Sequence, residues 1–440
     1  MKYQAISAPD WLARSAVYQI NPRTFSKEGT ISAMTQELPA LRKLGFSVMY
    51  LCPVFEEDAS EDRTCWSERQ KKYGTENPKN PYRIKNYFTI DSEYGTMEDL
   101  REFITVAHKL GMYVLLDLVY LHIGPDASIL KRHPEFAEQD PEGNILMSSW
   151  HFPILDYTCY GLREYLWCNM VYFISELDVD GFRCDAGDYV PIDFWNEGRR
   201  RIRAVKPDAV LINEGNKWDY LLSAFDSTYY TNWHTCLYGV FSGTTSLDEL
   251  RQKAIPVDFP AGGLLLRSID DHDTVTDRPS RTEIVAGHDG MEQIEVINYL
   301  MDGIPMVYCG NELADSTNIN MFANRFHMGR YEATDRSIAA EPASIRRQEL
   351  MIKLNTLKGE SDILRYGETH WLPNSKDDKV ISFCRKLGEQ SILFIGNAER
   401  ENVTATIEAD ISGSVMFFHN ASIENTNNVK LEPYGYLVLH

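Results

Sequence analysis

Eight short runs of β-branched and aromatic residues, separated by amphipathic stretches, constrain this chain more than any other feature. They are AVYQI (16–20), FSVMYLCPV (46–54), GMYVLLDLV (111–119), VDGFRCD (179–185), AVLINE (209–214), FDSTYY (225–230), GLLLRSID (263–270) and IPMVYCG (304–310). Their near-continuous apolar character suits strands buried on both faces, as in a parallel sheet, and parallel strands need a crossover between them. The crossovers have readable ends. Thr30 is placed to cap a helix whose apolar stripe runs Ile31, Met34, Leu38, Leu41 and Leu44 to Gly45, with Pro39 interrupting it. Thr96 is placed to cap another, with Leu100, Phe103, Ala107 and Leu110 on one face and Asp99 where a capping box puts its acid. Eight strands separated by helices read as an α/β fold, the (β/α)8 TIM barrel of about 250 residues or more.

The chain has 440 residues, so more than a bare barrel is present. Roughly sixty residues separate the third and fourth strands, and the part rich in Pro, Gly, His and Asp, about 123–158, reads as a small lobe inserted after strand 3. A helix is expected around 344–358. Beyond it, KVISFC, QSILFIG, NVTATIEA, SVMFFH and GYLVLH alternate, with turn residues between and no helical period. The expected division is a barrel over 1–360 and a C-terminal all-β domain, a β-sandwich, over 361–440.

Charge narrows the partners. With 44 basic against 64 acidic residues the net charge is −20, which argues against a nucleic acid or an anionic membrane, since both need a basic footprint. No window is apolar for the length of a membrane span. The eight cysteines form no CxxC pair, and Cys52, Cys184 and Cys309 fall in or at the ends of strands, where a thiol acts as a small hydrophobe. That favours a reducing compartment. MKYQAISAPDWLARS lacks a basic start followed by an apolar run, so no secretory signal is read and the expected location is cytoplasmic. No pattern speaks to oligomeric state.

In such a barrel the active site lies at the carboxyl ends of the strands. Asp117 and His122 fall at the end of strand 3, Arg183 and Asp185 at the end of strand 4, Glu214 at the end of strand 5, and Asp270-Asp271-His272-Asp273 at the end of strand 7. Alternation sends Arg183 and Asp185 to one face, and Phe182 and Cys184 to the other. A buried guanidinium beside a carboxylate is costly unless paired or used. Two chemistries could use this set: a metal-dependent hydrolase, or glycoside cleavage by paired carboxylates. A fixed cation beside Asp185 repels a metal but keeps a nucleophilic carboxylate ionised, and no HxH or ExxH ligand spacing is present, so no metal ligand is assigned.

The segments DLVYLH (117–122), GFRCDAGD (181–188), LINEGNKW (211–218) and LRSIDDHD (266–273), in that order, resemble the α-amylase family of retaining glycoside hydrolases. PYRIKNYFTIDSEYGTMEDL (81–100) is similar to that family's substrate-facing loop after strand 2, and GIPMVYCGNE (303–312) to its eighth strand. The resemblance implies a catalytic barrel with Asp185 as nucleophile, Glu214 as general acid/base and Asp273 as transition-state stabiliser. It implies that His122, Arg183 and His272 contact the sugar, that Tyr82 stacks on its ring, and that Asp117 organises the site from below. Hydrolysis of α-1,4-linked gluco-oligosaccharides through a covalent glycosyl–Asp185 intermediate is the expected function, with Glu214 raised in pKa and Asp185 charged. Transglycosylation and α-1,6- or α-1,1-glucosidase action need the same residues, and an inactive carbohydrate-binding protein is the reading from another class.

The departures are specific. Leu121 stands where the family usually has an Asn that helps bind calcium, so calcium is possible but its usual site is doubtful, and no cofactor is expected. Asp271 stands where many members have Asn, and Gly187-Asp188 where starch-cleaving members often have Lys-His. Trp66, Trp150, Phe152, Tyr157, Trp218 and Trp233 could stack on sugars, with one or two expected to do so.

Overall fold

In the computed structural model, which describes residues 3–73, 76–326 and 332–440, all eight runs form strands. They are β1 (Val17–Ile20), β2 (Val48–Leu51), β3 (Tyr113–Leu118), β4 (Gly181–Cys184), β5 (Val210–Asn213), β6 (Ser227–Tyr229), β7 (Leu265–Arg267) and β8 (Ile304–Tyr308). They pair in parallel, in chain order, and β8 pairs back onto β1 to close the barrel. Closure leaves no unpaired edge. Val17, Val48, Tyr50, Leu115, Val210, Ile212, Leu266, Ile304 and Met306 pack together as the interior plug, joined by Leu12 from the helix before β1. Their neighbours Leu116, Leu118, Phe182, Cys184 and Leu211 face the other way and join the larger core shared with the helices. The two-residue alternation expected along β4 is the observed one. Charged side chains pointing inward can therefore sit only above the plug, at the strands' carboxyl ends.

The helix caps also form. Thr30 accepts from the Ala33 amide at 3.2 Å and starts the helix Ile31–Lys43. Thr96 and Asp99 form the capping box of Met97–Lys109. Pro39 does not interrupt its helix as expected. It lies on the solvent face, where the missing amide bond costs least, while Ile31, Met34, Leu38 and Leu41 hold the opposite face in the core.

Two excursions rise over the carboxyl ends. After β2, Phe55–Glu57 pairs antiparallel with Ile84–Ile90, and the residues between them include a short helix, Glu68–Lys72. The second is the lobe after β3, stitched by single bridges between His122 and Ile154, Ala137 and Leu155, and Met147 and Pro153.

The helix Pro342–Glu360 leads to the C-terminal strands β9 (Glu368–Trp371), β10 (Val380–Leu387), β11 (Gln390–Asn397), β12 (Val403–Thr406), β13 (Val415–Ile423) and β14 (Asn428–Leu439). Where a sandwich was expected, these hydrogen-bond as one antiparallel sheet, because β14 serves several partners. Its first part pairs β12, its last part pairs β11, and β13 follows it along both. One face, with Phe383, Phe394, Tyr436 and Val438, merges with the outer core of the barrel. The other, with Val380, Ile395, Val403, Leu431 and Leu439, is a cluster of its own.

The start of β4 tolerates no side chain. Gly181 has φ 153°, and a Cβ there would meet the Val210 carbonyl oxygen at 2.3 Å. Gly181→Ala is expected to destabilise the protein by about 1–3 kcal/mol, since main chain rather than a flexible tip must move. Urea unfolding of the variant checks this, and an unchanged midpoint would contradict it.

Candidate active site

The site is built upward from Arg183. Asp117 and Arg183 are register partners across β3 and β4. Arg183 Nη1 donates to both Asp117 oxygens at 2.8 and 2.9 Å and to Asp185 Oδ1 at 3.0 Å, and Nη2 lies 2.6 Å from Glu214 Oε1. The guanidinium is 1% exposed and is flanked by the Tyr82 and Tyr229 rings at 5.9 and 5.5 Å. The hydroxyls of Tyr50 and Tyr82 also donate to Asp117 Oδ2, at 2.6 and 3.1 Å. Asp117 thus anchors the layer beneath the cleft.

A second chain of hydrogen bonds fixes His272. Gln19 Oε1 accepts from the His272 amide at 3.3 Å, which directs Gln19 Nε2 to donate to His272 Nδ1 at 3.0 Å. His272 Nε2 then donates to the Tyr82 hydroxyl at 2.6 Å, whose own proton goes to Asp117. The Tyr82 ring lies against His272 with centroids 5.4 Å apart and 17° between planes. Asp273 follows on the short helix His272–Asp277, its Oδ1 held by Arg69 Nη2 at 2.8 Å.

Asp185 turns the chain sharply. Ala186 follows it in the left-handed region at φ 45°, and its amide donates to Glu214 Oε2 at 2.8 Å. Strain at a non-glycine residue is thus offset by a bond to a neighbouring acid. Asp185, Glu214 and Asp273 line one cavity of about 110 Å³ with Tyr82, His122, Arg69 and Phe322. Trp150 and Phe152 from the inserted lobe also line it and flank His122 at 5.5 and 4.9 Å.

One guanidinium among three carboxylates leaves surplus negative charge. Burial, the largest effect, pushes the Asp185 carboxyl well above its ordinary range, Arg183 opposing and Glu214 adding. Burial also raises Glu214, against Arg183. The expected contrast, with Asp185 held low, is not what its surroundings produce, because Arg183 is shared with Asp117 and Glu214. Asp273 behaves differently. Burial raises it, but His272, Arg69 and Arg183 together outweigh that and hold it well below the usual carboxylate range.

All eight residues named from the sequence (Tyr82, Asp117, His122, Arg183, Asp185, Glu214, His272 and Asp273) are within this network or its walls. Of the six aromatics, Trp150 and Phe152 face the cavity. Trp66, Tyr157 and Trp233 are buried, and Trp218 packs on Tyr230 and Phe259. Sequence reasoning missed Gln19, Tyr50 and Arg69. Gln19 had a signal, as the polar residue in AVYQI; Arg69, in an aperiodic stretch, had none.

The other departures find structural work. Asp188 accepts from Asn213 Nδ2 at 2.8 Å, from the Lys217 amide at 2.9 Å and from the Asn216 amide, fastening the turn after Glu214. Asp271 caps the helix that carries Asp273, accepting from the Thr274 amide at 2.7 Å. Leu121 packs in the core and presents no oxygen, so that position does not fit a calcium ligand. Among the described residues no group of three or more His, Cys, Asp or Glu is arranged to hold a metal, and no helix is long and apolar enough to cross a membrane.

A (β/α)8 barrel whose acidic side chains gather over the ends of β4, β5 and β7 defines the class of protein. Residues 13–143 match the family model for the α-amylase catalytic domain. The chain is 24% identical to the α-amylase MalA of Haloarcula japonica over 92% of its length and 58% of that protein, so it spans little more than half of that relative. It is 24% identical to a maltogenic α-amylase of Bacillus acidopullulyticus, covering 92% of this chain and 72% of the other. The structure of the maltogenic α-amylase AmyB from Thermotoga neapolitana superposes with a TM-score of 0.80 at 24% identity, covering 98% and 99% of the two chains. Over residues 13–143 the chain is thus similar to the α-amylase catalytic domain, and it shares its fold with these amylases.

His122 makes a pH prediction. Burial, the largest effect, lowers its pKa from 6.5 to about 4, against the bond from Nε2 to the Tyr82 carbonyl. A base whose folded pKa lies below its unfolded one binds fewer protons when folded. Its contribution is therefore full above the unfolded value and is lost as pH falls from there toward 4. Between pH 7 and 5 this group alone removes about 2 kcal/mol of unfolding free energy. Urea unfolding at the two pH values should show His122→Gln losing less than wild type by about that amount, and equal losses would contradict the assignment.

Proposed function

We propose that this protein hydrolyses α-glucosidic bonds, α-1,4 bonds in maltodextrin-like oligosaccharides, by a retaining double displacement. The observation that carries the reading is the meeting of Asp185, Glu214 and Asp273 in one cavity, with Asp185 and Glu214 touching the same buried guanidinium. In the first step an Asp185 oxygen bonds to the anomeric carbon while the glycosidic C–O bond breaks, and Glu214 gives its proton to the departing oxygen. In the second, water attacks the same carbon, Glu214 takes back a proton, and the ester to Asp185 opens. The raised pKa of Glu214 suits an acid that must hold its proton near neutrality. Positive charge developing on the sugar favours the carboxylate form of Asp185, which its buried setting opposes. Asp273, held ionised by its cationic neighbours, suits stabilisation of that charge.

His122, Arg183, His272 and Tyr82 would contact the sugar, and Trp150 and Phe152 offer apolar faces for it. No cofactor enters this mechanism. The likeness to a maltogenic α-amylase supports a glucan substrate. The unpaired state of all eight cysteines supports a reducing, cytoplasmic location.

Asp185→Asn should abolish turnover of maltotriose while leaving the unfolding midpoint near wild type, and Glu214→Gln should cost about 10²–10⁴-fold in kcat. Retained activity in Asp185→Asn would remove the proposal, as would loss of activity on chelation, which a metal-dependent barrel hydrolase requires. Products longer than maltotriose would assign the second step to a sugar hydroxyl and make the enzyme a transglycosylase.

A further inference from the structure

Arg69 reaches the cleft from outside the barrel. It sits on the five-residue helix Glu68–Lys72, in the excursion between Phe55–Glu57 and Ile84–Ile90. Two bonds stiffen that helix: Ser67 caps it by accepting from the Gln70 amide at 3.2 Å, and the buried Gln70 side chain donates to the Asn77 carbonyl at 3.0 Å. Arg69 leaves it toward the short helix His272–Asp277. There Nη2 meets Asp273 Oδ1 at 2.8 Å and Nε donates to Asp277 Oδ1 at 2.9 Å, while the guanidinium carbon lies 5.7 Å from the Phe322 ring centre.

Asp273 and Asp277 are four residues apart on one helix, a spacing at which like charges repel. A single forked cation bridging both removes that repulsion and fixes the rotamer of each. Nothing else among the described residues pairs with Asp273 at hydrogen-bond length: His272 Nε2 is 3.6 Å away. We propose that Arg69 is a positioning residue, a clamp that anchors the Asp273 carboxylate over the sugar site through an ion pair delivered by the loop after β2. This rests on the glycosidase reading of Asp273.

The alternative is that Arg69 merely docks its own loop. The charges facing Asp273 separate the two. On its own helix these are His272, Asp271 and Asp277; from β4 and β5 they are Arg183, Asp185 and Glu214. Arg69 faces it from the excursion, where the Tyr73 hydroxyl lies instead 3.3 Å from Asp277; His234 faces it from the helix Thr231–Ser242, and Cys52 lies just beyond β2. Without Arg69, Asp185, Glu214, Asp271 and Asp277 outnumber the cations that remain, and Asp273 becomes a fourth carboxylate, after Asp117, Asp185 and Glu214, competing for Arg183. A clamp therefore leaves a mark on pH dependence that a docking contact does not.

The test compares wild type, Arg69→Met and Arg69→Lys by kcat and KM on maltotriose from pH 4 to 8, with circular dichroism and urea midpoints on each. In Arg69→Met the acid limb of kcat/KM should move to higher pH by about one unit and steepen, as a second carboxylate titrates in the working range. The loss should fall mainly on kcat, and Arg69→Lys should return the limb toward its wild-type position. A limb that stays in place, whether activity is unchanged or falls equally at every pH, overturns the proposal. Failure of the glycosidase reading is seen separately, as a wild-type protein that does not cleave maltotriose or an Asp185→Asn variant that does. If Arg69→Met does not fold, Arg69→Gln takes its place: its limb should move to higher pH in the same way, and an unmoved limb overturns the proposal.

Discussion

Arg183 is the interaction on which the site depends. A guanidinium sealed at the carboxyl end of β4 must be paired, because an unpaired buried cation costs several kcal/mol. It is paired in three directions, to its cross-strand partner Asp117, to Asp185 two residues on, and to Glu214 at the end of the next strand. Strand register therefore fixes catalytic geometry. A shift of β4 by one residue would turn Arg183 and Asp185 outward among the helices and bring Phe182 and Cys184 into the cleft. Gly181 guards that register from below by letting the Val210 carbonyl approach.

The barrel was legible because parallel strands buried on both faces read as continuous apolar runs, and all eight were found within two or three residues of their observed ends. Helix starts were legible from Thr30 and Thr96, whose caps are local chemistry. The C-terminal strands were legible as alternation, but alternation reports faces and not which strands share a ladder, so the single bent sheet read as two. For the site, position on the rim found the acids and imidazoles. It could not find Arg69, whose partner Asp273 lies two hundred residues away and whose helix is too short to show a period. Tyr50 read as ordinary strand core, and only the arrival of Asp117 from β3 gives its hydroxyl a partner.

The residues that depart from the α-amylase pattern have structural work of their own. The Leu121 side chain packs in the core, and the lobe is held by strand-like bridges and by hydrogen bonds such as Leu155 N to the Leu121 carbonyl at 3.1 Å. Asp188 turns its charge on the main chain. It gathers the amides of the turn that begins at Gly215, where even a Cβ would clash with its carboxylate. That turn follows Glu214 directly, so Asp188 steadies Glu214 through the main chain. Asp271 likewise serves as a helix cap, its charge favourably placed against the helix's first amides.

The three roles proposed for the acids of this cavity require them to differ in protonation, and sequence alone makes them look alike. The difference comes from the company each keeps. Asp185 and Glu214 divide one cation with Asp117, which leaves burial dominant and raises both. Asp273 has an arginine of its own, brought from a separate loop, and an imidazole beside it, so burial loses. A site with Arg183 alone would hold three carboxylates that burial pushes toward their neutral forms, which does not suit the cationic sugar of the proposed reaction. The second guanidinium resolves this without adding a bound ion. It makes the charge state of the cleft depend on the contact between the excursion after β2 and the helix after β7.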